Sequence, residues 1–257
     1  MYKTTKALIL REVKYKEADK ILTVLTPEDG KLTVKARGAL RKSSRCGAAC
    51  QALCWSELTL FGNRGRWTVN EAETLEQFLP LRADLCAFAL GSYFAEALEA
   101  ASDEDSPNPE MLQLGLNSLY ALSRAMYPPE HIKAAFELRL VCLAGFEPDV
   151  FACSVCGREN PDGAMLSLAG GVLHCRTCAP DARGVSLPLS AETLAAMRYI
   201  ITAPPKRILS FAIPPESERQ LSDVTQAYMT TQLERGFSTL DYWKSVRLAD
   251  IKTDIHR

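Results

Sequence analysis

Apolar and polar residues alternate along short segments in the first 80 residues of the chain. Within residues 31–37, Leu32, Val34 and Ala36 fall on one side, and the intervening Lys, Thr and Arg residues fall on the other. This period of two is the pattern of a half-buried β-strand. The pattern predicts five strands, at residues 4–14, 20–26, 31–37, 55–61 and 66–73. Turn-forming sequences lie at residues 27–30 (PEDG) and 62–65 (GNRG). Five short strands suit a small closed barrel, and the five-stranded OB-fold is the leading candidate.

Beyond residue 80 the apolar residues recur every three to four positions, which is typical of amphipathic helices. Leu90, Phe94 and Leu98 share one face of the first such segment. The same spacing recurs from Leu112 to Leu119 and from Ile132 to Leu143. Two more helices are predicted at about residues 190–201 and 217–236, between proline-rich turns.

The predicted fold class is therefore α+β, in two domains. We expect an OB-fold domain at residues 1–79 and a mainly α-helical domain at residues 80–240. A polar tail follows at residues 241–257, and we expect its residues 244–257 to be frayed.

Composition narrows the class of protein and its compartment. Apolar residues make up 47% of the 257 residues and charged residues 24%, as in an ordinary globular protein. The chain shows neither a membrane-length apolar run nor a signal peptide, so we expect a cytoplasmic protein without a membrane partner. Nine cysteines in such a chain favour metal ligation or buried thiols over a disulfide framework.

The net charge of −1 conceals a division along the chain. Residues 1–66 carry a net charge of +8, and the remainder carries −9. The positive charge is densest in residues 31–45, where six cations occur without an acid: Lys31, Lys35, Arg37, Arg41, Lys42 and Arg45. A basic strand and loop on an OB-fold barrel are suited to neutralising nucleic-acid phosphates. The alternative is a solvated surface. Lys14, Lys16, Arg64 and Arg66 could extend the basic surface, and Trp55 and Trp67 are interpreted as core residues or as platforms for bases.

Two CxxC pairs carry the sharpest chemical signal. Cys153, Cys156, Cys175 and Cys178 form two knuckles with 18 residues between the pairs, which is the spacing of a four-thiolate Zn²⁺ site. A Gly-Gly turn between the pairs predicts a hairpin, and we place the zinc-ribbon-like module at about residues 150–181. Four thiolates leave no open coordination position, so the metal would be structural. The alternatives are four buried or redox-active cysteines, or His174 as a competing ligand.

The remaining cysteines and charged residues are interpreted as structural. Cys46, Cys50 and Cys54 recur every four residues without a fourth ligand nearby, and we interpret them as small core residues. Lys133 and Arg139 are interpreted as solvated helix charges, with a basic contact to a partner as the alternative. The common phosphate-loop, dinucleotide-binding, metalloprotease and hydrolase motifs are missing from the sequence, and we predict no catalytic residues and no enzyme.

Several stretches resemble the RecO family of bacterial recombination mediators. The most specific is FELRLVCLAGFEPDVFACSVCG at residues 136–157, which joins a helix, a Gly-Phe-x-Pro turn and the first knuckle. HCRTC at residues 174–178 and the opening strands with their basic segment are similar to the same family. The resemblance extends over residues 4–237, whereas residues 46–54 and the loop SDEDSP match no family feature.

The resemblance implies an OB-fold, a helical domain and a zinc module docked on that domain. It also implies binding of single- and double-stranded DNA, annealing of complementary strands, and loading of RecA recombinase onto DNA coated by single-strand-binding protein. RecR and the acidic tail of single-strand-binding protein would be partners. The six cations of residues 31–45 would contact DNA. Two other hypotheses remain: a zinc-containing interaction adaptor with the barrel as scaffold, and a zinc-dependent nucleic-acid enzyme.

Overall fold

The computed structural model describes residues 1–178 and 184–255, with side chains described as far as residue 249. The last residues of the predicted zinc module, 179–181, and of the predicted tail, 256–257, lie outside the described residues. The chain forms two compact units. One combines Met1–Met126 with Phe237–Arg257, and the other is Tyr127–Gly236.

The first unit contains a closed five-stranded barrel. Its strands are β1 (Tyr2–Tyr15), β2 (Asp19–Thr26), β3 (Gly30–Ala36), β4 (Trp55–Asn63) and β5 (Arg66–Glu76). The order around the barrel is β1-β2-β3-β5-β4, and β4 pairs back to β1. All neighbouring pairs are antiparallel except β3 with β5, which is parallel. This is the predicted OB-fold, and the fold class is confirmed.

Turns with left-handed glycines set the hairpins of the barrel. Gly30 (φ +67°) ends the PEDG turn between β2 and β3, and Gly65 (φ +73°) lies in the turn between β4 and β5. Glycine adopts this conformation without the steric cost that other residues meet. Alternate residues of each strand fill the barrel with apolar side chains, among them Ile9, Leu22 and Val34. The period of two therefore identifies the inward face of the barrel, whereas the outward face of β1 and β2 is also buried at Leu8, Leu10 and Leu25.

Seven helices lie within the described residues. They are α1 (Leu79–Ala83), α2 (Leu85–Ala101), α3 (Pro109–Ser123), α4 (Pro129–Leu143), α5 (Ala191–Thr202), α6 (Pro215–Gln232) and α7 (Ser238–Ile255). Side chains of Asp84, Asn108 and Ser190 cap α2, α3 and α5 by accepting backbone N–H bonds. The predicted helical segments are all present.

The C-terminal segment differs from the prediction. We expected residues 244–257 to be frayed, but α7 continues to Ile255 and packs against α2 in the barrel-containing unit. Trp243 is 2% exposed, and Phe237, Leu240 and Val246 are buried with it. The expectation is therefore wrong for residues 244–255, because a single apolar stripe of a mostly polar segment is sufficient to anchor a helix.

The second unit holds α4, α5, α6 and a small sheet. The sheet consists of β6 (Met165–Ser167), β7 (Val172–His174) and β8 (Ser186–Pro188), in the order β7-β6-β8. The boundaries of the two compact units differ from those of the predicted domains, because the unit of the barrel also contains α1, α2, α3 and α7. No described helix is both long and apolar enough to cross a membrane.

Candidate metal centre and nucleic-acid interface

The two knuckles bring four cysteine sulfurs together in the second unit. The Sγ atoms of Cys153, Cys156, Cys175 and Cys178 all lie within 4.8 Å of one another, and those of Cys156 and Cys175 are 3.6 Å apart. Sulfurs bound tetrahedrally to one Zn²⁺ at about 2.3 Å are separated by about 3.8 Å. The donor set and its spacing therefore fit a metal ion, and the cluster can hold one.

The hairpin of β6 and β7 explains why the sulfurs converge. The Gly-Gly turn returns the chain from β6 to β7, with Gly171 in the left-handed region (φ +63°), and Cys175 follows β7 directly. In the first knuckle the N–H of Gly157, also left-handed (φ +72°), bonds to the carbonyl of Cys153 at 2.8 Å. Each CxxC pair thus closes as a tight turn around one centre.

The thiols of the cluster differ in their environments. Backbone N–H groups, that of Cys156 foremost, lower the pKa of the Cys153 thiol to about 6. Burial, with the neighbouring thiols second, raises the pKa of Cys175 to about 12. A cation held by the four cysteines would stabilise their thiolates and displace the proton that the raised pKa favours on Cys175. Metal binding there would therefore release protons and weaken as the pH falls.

Arg198 of α5 fastens the first knuckle to the helical part of the unit. Its Nε donates to the carbonyl of Val150 at 2.8 Å, and its Nη2 donates to the carbonyl of Phe151 at 3.0 Å. The guanidinium also bonds to the carbonyl of Glu159 and to the Oδ1 of Asn160. We call the described residues 150–178 the cysteine module. One side chain thus bonds to both flanks of the knuckle in this module.

The other cysteines and His174 take structural places. His174 is buried, with its ring nitrogens 2.9 Å from the Cys175 carbonyl oxygen and 3.0 Å from Ser186 Oγ, outside the sulfur cluster. Cys50 and Cys54 are fully buried in the barrel core, and Cys46 packs against them half-buried. Burial raises the pKa of Cys50 to about 12. Their interpretation as core residues is confirmed.

A groove of about 590 Å³ lies on the outside of the barrel. Its cations are Lys35 and Arg37 from β3 and the turn after it, and Arg66 from β5. Its aromatic side chains come from β1, β4 and β5: Tyr15, Phe61 and Trp67. Cations interleaved with aromatic rings can hold phosphates and stack bases at the same time.

The aromatic rings of the groove differ in burial and packing. Trp67 is half-buried against the barrel core and lies so close to Gly62 that a Cβ there would approach its ring to 2.6 Å. Trp67 therefore packs against the barrel core and also lines the groove. Phe61 is 37% exposed, and its ring centre lies 5.1 Å from that of the exposed Tyr2, with the two ring planes tilted by 50°. Trp55 lies outside the residues that line the groove.

The six predicted DNA-contacting cations fall into three places. Lys35 and Arg37 line the groove, and Arg41, Lys42 and Arg45 are exposed in the irregular segment after it. Lys31 is elsewhere: its Nζ donates to the carbonyl of Glu99 in α2 at 2.8 Å. The structure therefore places two of the six in the groove and three in the exposed segment that follows β3, and it assigns Lys31 to the contact between the barrel and α2.

Two aromatic residues of the groove were not predicted from the sequence, and two helix charges were interpreted wrongly. Tyr15 and Phe61 could have been identified from their outward register at strand ends. Lys133 is buried and Arg139 is half-buried, so neither is a fully solvated helix charge. Lys133 is 1% exposed and paired with the buried Glu137, and Arg139 donates to the Ile201 carbonyl. The error has a physical reason: α4 lies at the centre of its unit and is buried on nearly every side.

Comparison with known protein families shows to which family the chain belongs. The family described as Recombination protein O N terminal matches residues 1–78, and Recombination protein O C terminal matches residues 82–241. The chain belongs to the RecO family. It is 32% identical over 245 residues to the DNA repair protein RecO of Acetivibrio thermocellus, covering 95% of this chain and 97% of the relative. It is 33% identical over 230 residues to that of Exiguobacterium sibiricum, covering 89% and 91%. The resemblance found in the sequence motifs is confirmed.

Proposed function

We propose that the chain is a non-enzymatic, DNA-binding recombination mediator. It binds single- and double-stranded DNA, anneals complementary strands and helps to load RecA recombinase onto DNA coated by single-strand-binding protein. Membership in the RecO family, whose relatives are named DNA repair proteins, supports the setting in recombinational repair. RecR and the acidic tail of single-strand-binding protein are the proposed protein partners, on the family resemblance alone.

The groove on the barrel is the observation that carries the proposal. Lys35, Arg37 and Arg66 face a concave surface that also presents aromatic rings. Flexible cations bind phosphates without regard to sequence and release counterions, and every base offers a face to an aromatic ring. Residues 41–45 continue the positive charge beyond β3. A single strand laid along this surface would find phosphate contacts and stacking along one path.

Annealing follows from the same electrostatics. Two complementary strands repel through their phosphates, and a protein that neutralises part of that charge lowers the barrier to their approach. No covalent bond is made or broken in this step, so it requires no catalytic residue. The net charge of −9 on the remainder of the chain favours a bound strand on the barrel.

We also propose that the cysteine cluster holds structural Zn²⁺. Four thiolates in two CxxC knuckles are the donor set of closed zinc sites, and zinc bound there would hold the knuckles together. Metal analysis of the purified protein should give about one zinc per chain. Cys153→Ser and Cys175→Ser should lose the zinc and lower the melting temperature, whereas Cys142→Ser, outside the cluster, should retain it. Absence of zinc from the wild type would refute this assignment.

The DNA-binding proposal is tested on the full-length chain. Affinity for a labelled single-stranded oligonucleotide is measured by fluorescence anisotropy across a salt series, together with the annealing rate of complementary strands. Lys35→Glu combined with Arg37→Glu should weaken binding about tenfold or more and reduce the salt slope by about 0.7 for each lost phosphate contact. Lys206→Glu with Arg207→Glu makes the same charge change at exposed positions of the other unit and is the control.

Two results would contradict the proposal. One is a flat salt response of the wild type, and the other is equal loss of affinity in the groove variant and its control. If the groove variant still anneals strands at the wild-type rate, the interaction adaptor becomes the better hypothesis. Phe61→Ala separates stacking from charge, because it should weaken binding of single strands more than binding of duplex.

A further inference from the structure

Asp19 is an acidic residue placed beside the cationic groove. It begins β2 and pairs with Tyr15 across the β1–β2 ladder. Its Oδ2 lies 2.9 Å from the Nζ of Lys35, and its Oδ1 accepts the N–H of Gly38 at 2.9 Å. The same Nζ is 5.0 Å from the centre of the Tyr15 ring. One carboxylate therefore contacts a cation of β3 and the turn that follows β3.

The turn held by Asp19 carries the next cations. Gly38 is in the left-handed region (φ +65°), and the Arg41 N–H bonds back to the Gly38 carbonyl at 3.0 Å. A second bond, from the Leu40 N–H to the Ala18 carbonyl at 2.9 Å, ties the turn to the β1–β2 connection. Arg37, which lines the groove, and Arg41 are thus attached to a turn that is fixed at two points.

The carboxylate remains ionised while it holds this turn. The Gly38 N–H and then the Lys35 ammonium lower the pKa of Asp19 below its usual value. The acceptor for Gly38 therefore persists across neutral and mildly acidic pH.

We propose that Asp19 is a positioning residue of the DNA-binding groove. Through its bond to Gly38 it fixes the turn of residues 37–41, so that Lys35 and Arg37 face the same strand of nucleic acid. The proposal rests on the DNA-binding function proposed above. It predicts that removal of this acid weakens DNA binding. Charge alone predicts the opposite, because removal of an acid beside a phosphate site should tighten binding.

Three variants of the full-length chain separate position from charge. Asp19→Ala removes both contacts and should weaken single-strand binding about three- to tenfold, with a smaller salt slope. Asp19→Asn keeps an oxygen that can accept the Gly38 N–H, and it should bind at least as tightly as the wild type. Glu17→Ala makes the same charge change as Asp19→Ala two residues away, at an exposed position, and should also bind at least as tightly.

A double-mutant cycle tests whether Asp19 acts through the turn. If it does, Arg37→Ala should cost less affinity in the Asp19→Ala background than in the wild type, because the two changes remove the same contact. Thermal melting accompanies each variant. If Asp19→Ala melts below the assay temperature, Gly38→Ala replaces it, since an alanine at φ +65° displaces the turn and leaves every charge in place.

The outcomes distinguish this inference from the function on which it rests. It is overturned if Asp19→Ala, or Gly38→Ala in its place, binds as tightly as Glu17→Ala. Equal weakening by Asp19→Asn and Asp19→Ala, or additive effects in the cycle, overturns it too. The DNA-binding function itself fails if the wild type does not bind or shows a flat salt response, or if charge reversal of Lys35 and Arg37 weakens binding no more than the control variant does.

Discussion

Lys31 and Lys35 lie four residues apart on the same outward face of β3, yet they reach different partners. Lys31 donates to a backbone carbonyl of α2, 68 residues away along the chain, while Lys35 reaches Asp19 and the groove. The alternation of the strand places both on the polar face but carries no information about a partner so distant in sequence. The separation of a cation that lines the groove from a structural one becomes visible only with the tertiary contacts.

The buried pair in α4 leads to a prediction about stability. Lys133 Nζ is 3.0 Å from Glu137 and also donates to the carbonyl and hydroxyl oxygens of Ser222, while Thr225 donates to Glu137 at 2.8 Å. Glu137→Ala leaves the ammonium of Lys133 buried and uncompensated, so the free energy of unfolding should fall by about 3–5 kcal/mol. Chemical denaturation at neutral pH measures this loss.

A double variant provides the control. Lys133→Met with Glu137→Leu removes both charges and fills a similar volume, so it should cost much less than Glu137→Ala alone. If the single and double variants are equally destabilised, packing rather than an unpaired charge accounts for the loss. Neither variant changes the groove on the barrel, and DNA affinity should stay at the wild-type value.

The cysteine module shows what local spacing can predict and where it stops. Two CxxC pairs and a Gly-Gly turn are local features, so the sequence predicts the hairpin and the convergence of four sulfurs. The third strand, β8, joins β6 from beyond the second knuckle. Arg198 joins the first knuckle from α5, 47 residues away from Phe151. Such long-range contacts have no signature in the spacing of the cysteines.

Arg198 should govern how firmly the cysteine module retains the proposed zinc. Arg198→Ala removes the bonds to the carbonyls of Val150, Phe151 and Glu159, so the first knuckle loses its attachment to α5. We expect zinc transfer to a competing chelator to be several times faster and the unfolding free energy to fall by about 2–3 kcal/mol. The readouts are chelator absorbance and thermal melting.

Arg219→Ala is the matched control for this change. Arg219 is exposed on α6 and bonds only within its own helix, to the Pro215 carbonyl at 3.4 Å, among the contacts of the described residues. It should release zinc at the wild-type rate. Arg198→Lys should behave like the alanine variant, because an ammonium cannot span the carbonyls that the planar guanidinium reaches. Wild-type release from Arg198→Ala would contradict the role.

At the scale of the whole molecule, the order of elements was predictable and the grouping of elements was not. The change from a period of two to a period of about 3.6 near Pro80 separates barrel from helices, and the family matches divide the chain at the same place. The compact units do not follow this division, because the unit of the barrel also contains helices from beyond Pro80. Residues 237–257 return to the unit of the barrel, although most of them are polar. Trp243 was the available signal, since a large aromatic residue in a polar segment is seldom left exposed.

Because α7 packs against α2, we expect the C-terminal helix to stabilise the barrel-containing unit. Phe237 packs edge-on against Tyr93 of α2 at 5.5 Å, and Thr239 bonds through its backbone N–H to Glu96 at 3.1 Å. A chain ended after residue 236 should therefore unfold this unit at a clearly lower temperature, and α2 should lose protection from hydrogen exchange. A chain ended after residue 247 keeps Trp243 and should melt close to the wild type. In the full chain, Trp243→Ala should lower the free energy of unfolding by about 3–5 kcal/mol, the value typical of a buried tryptophan.

If the two truncated chains melt at the same temperature, residues 237–247 do not stabilise this unit, and the barrel is stable without α7.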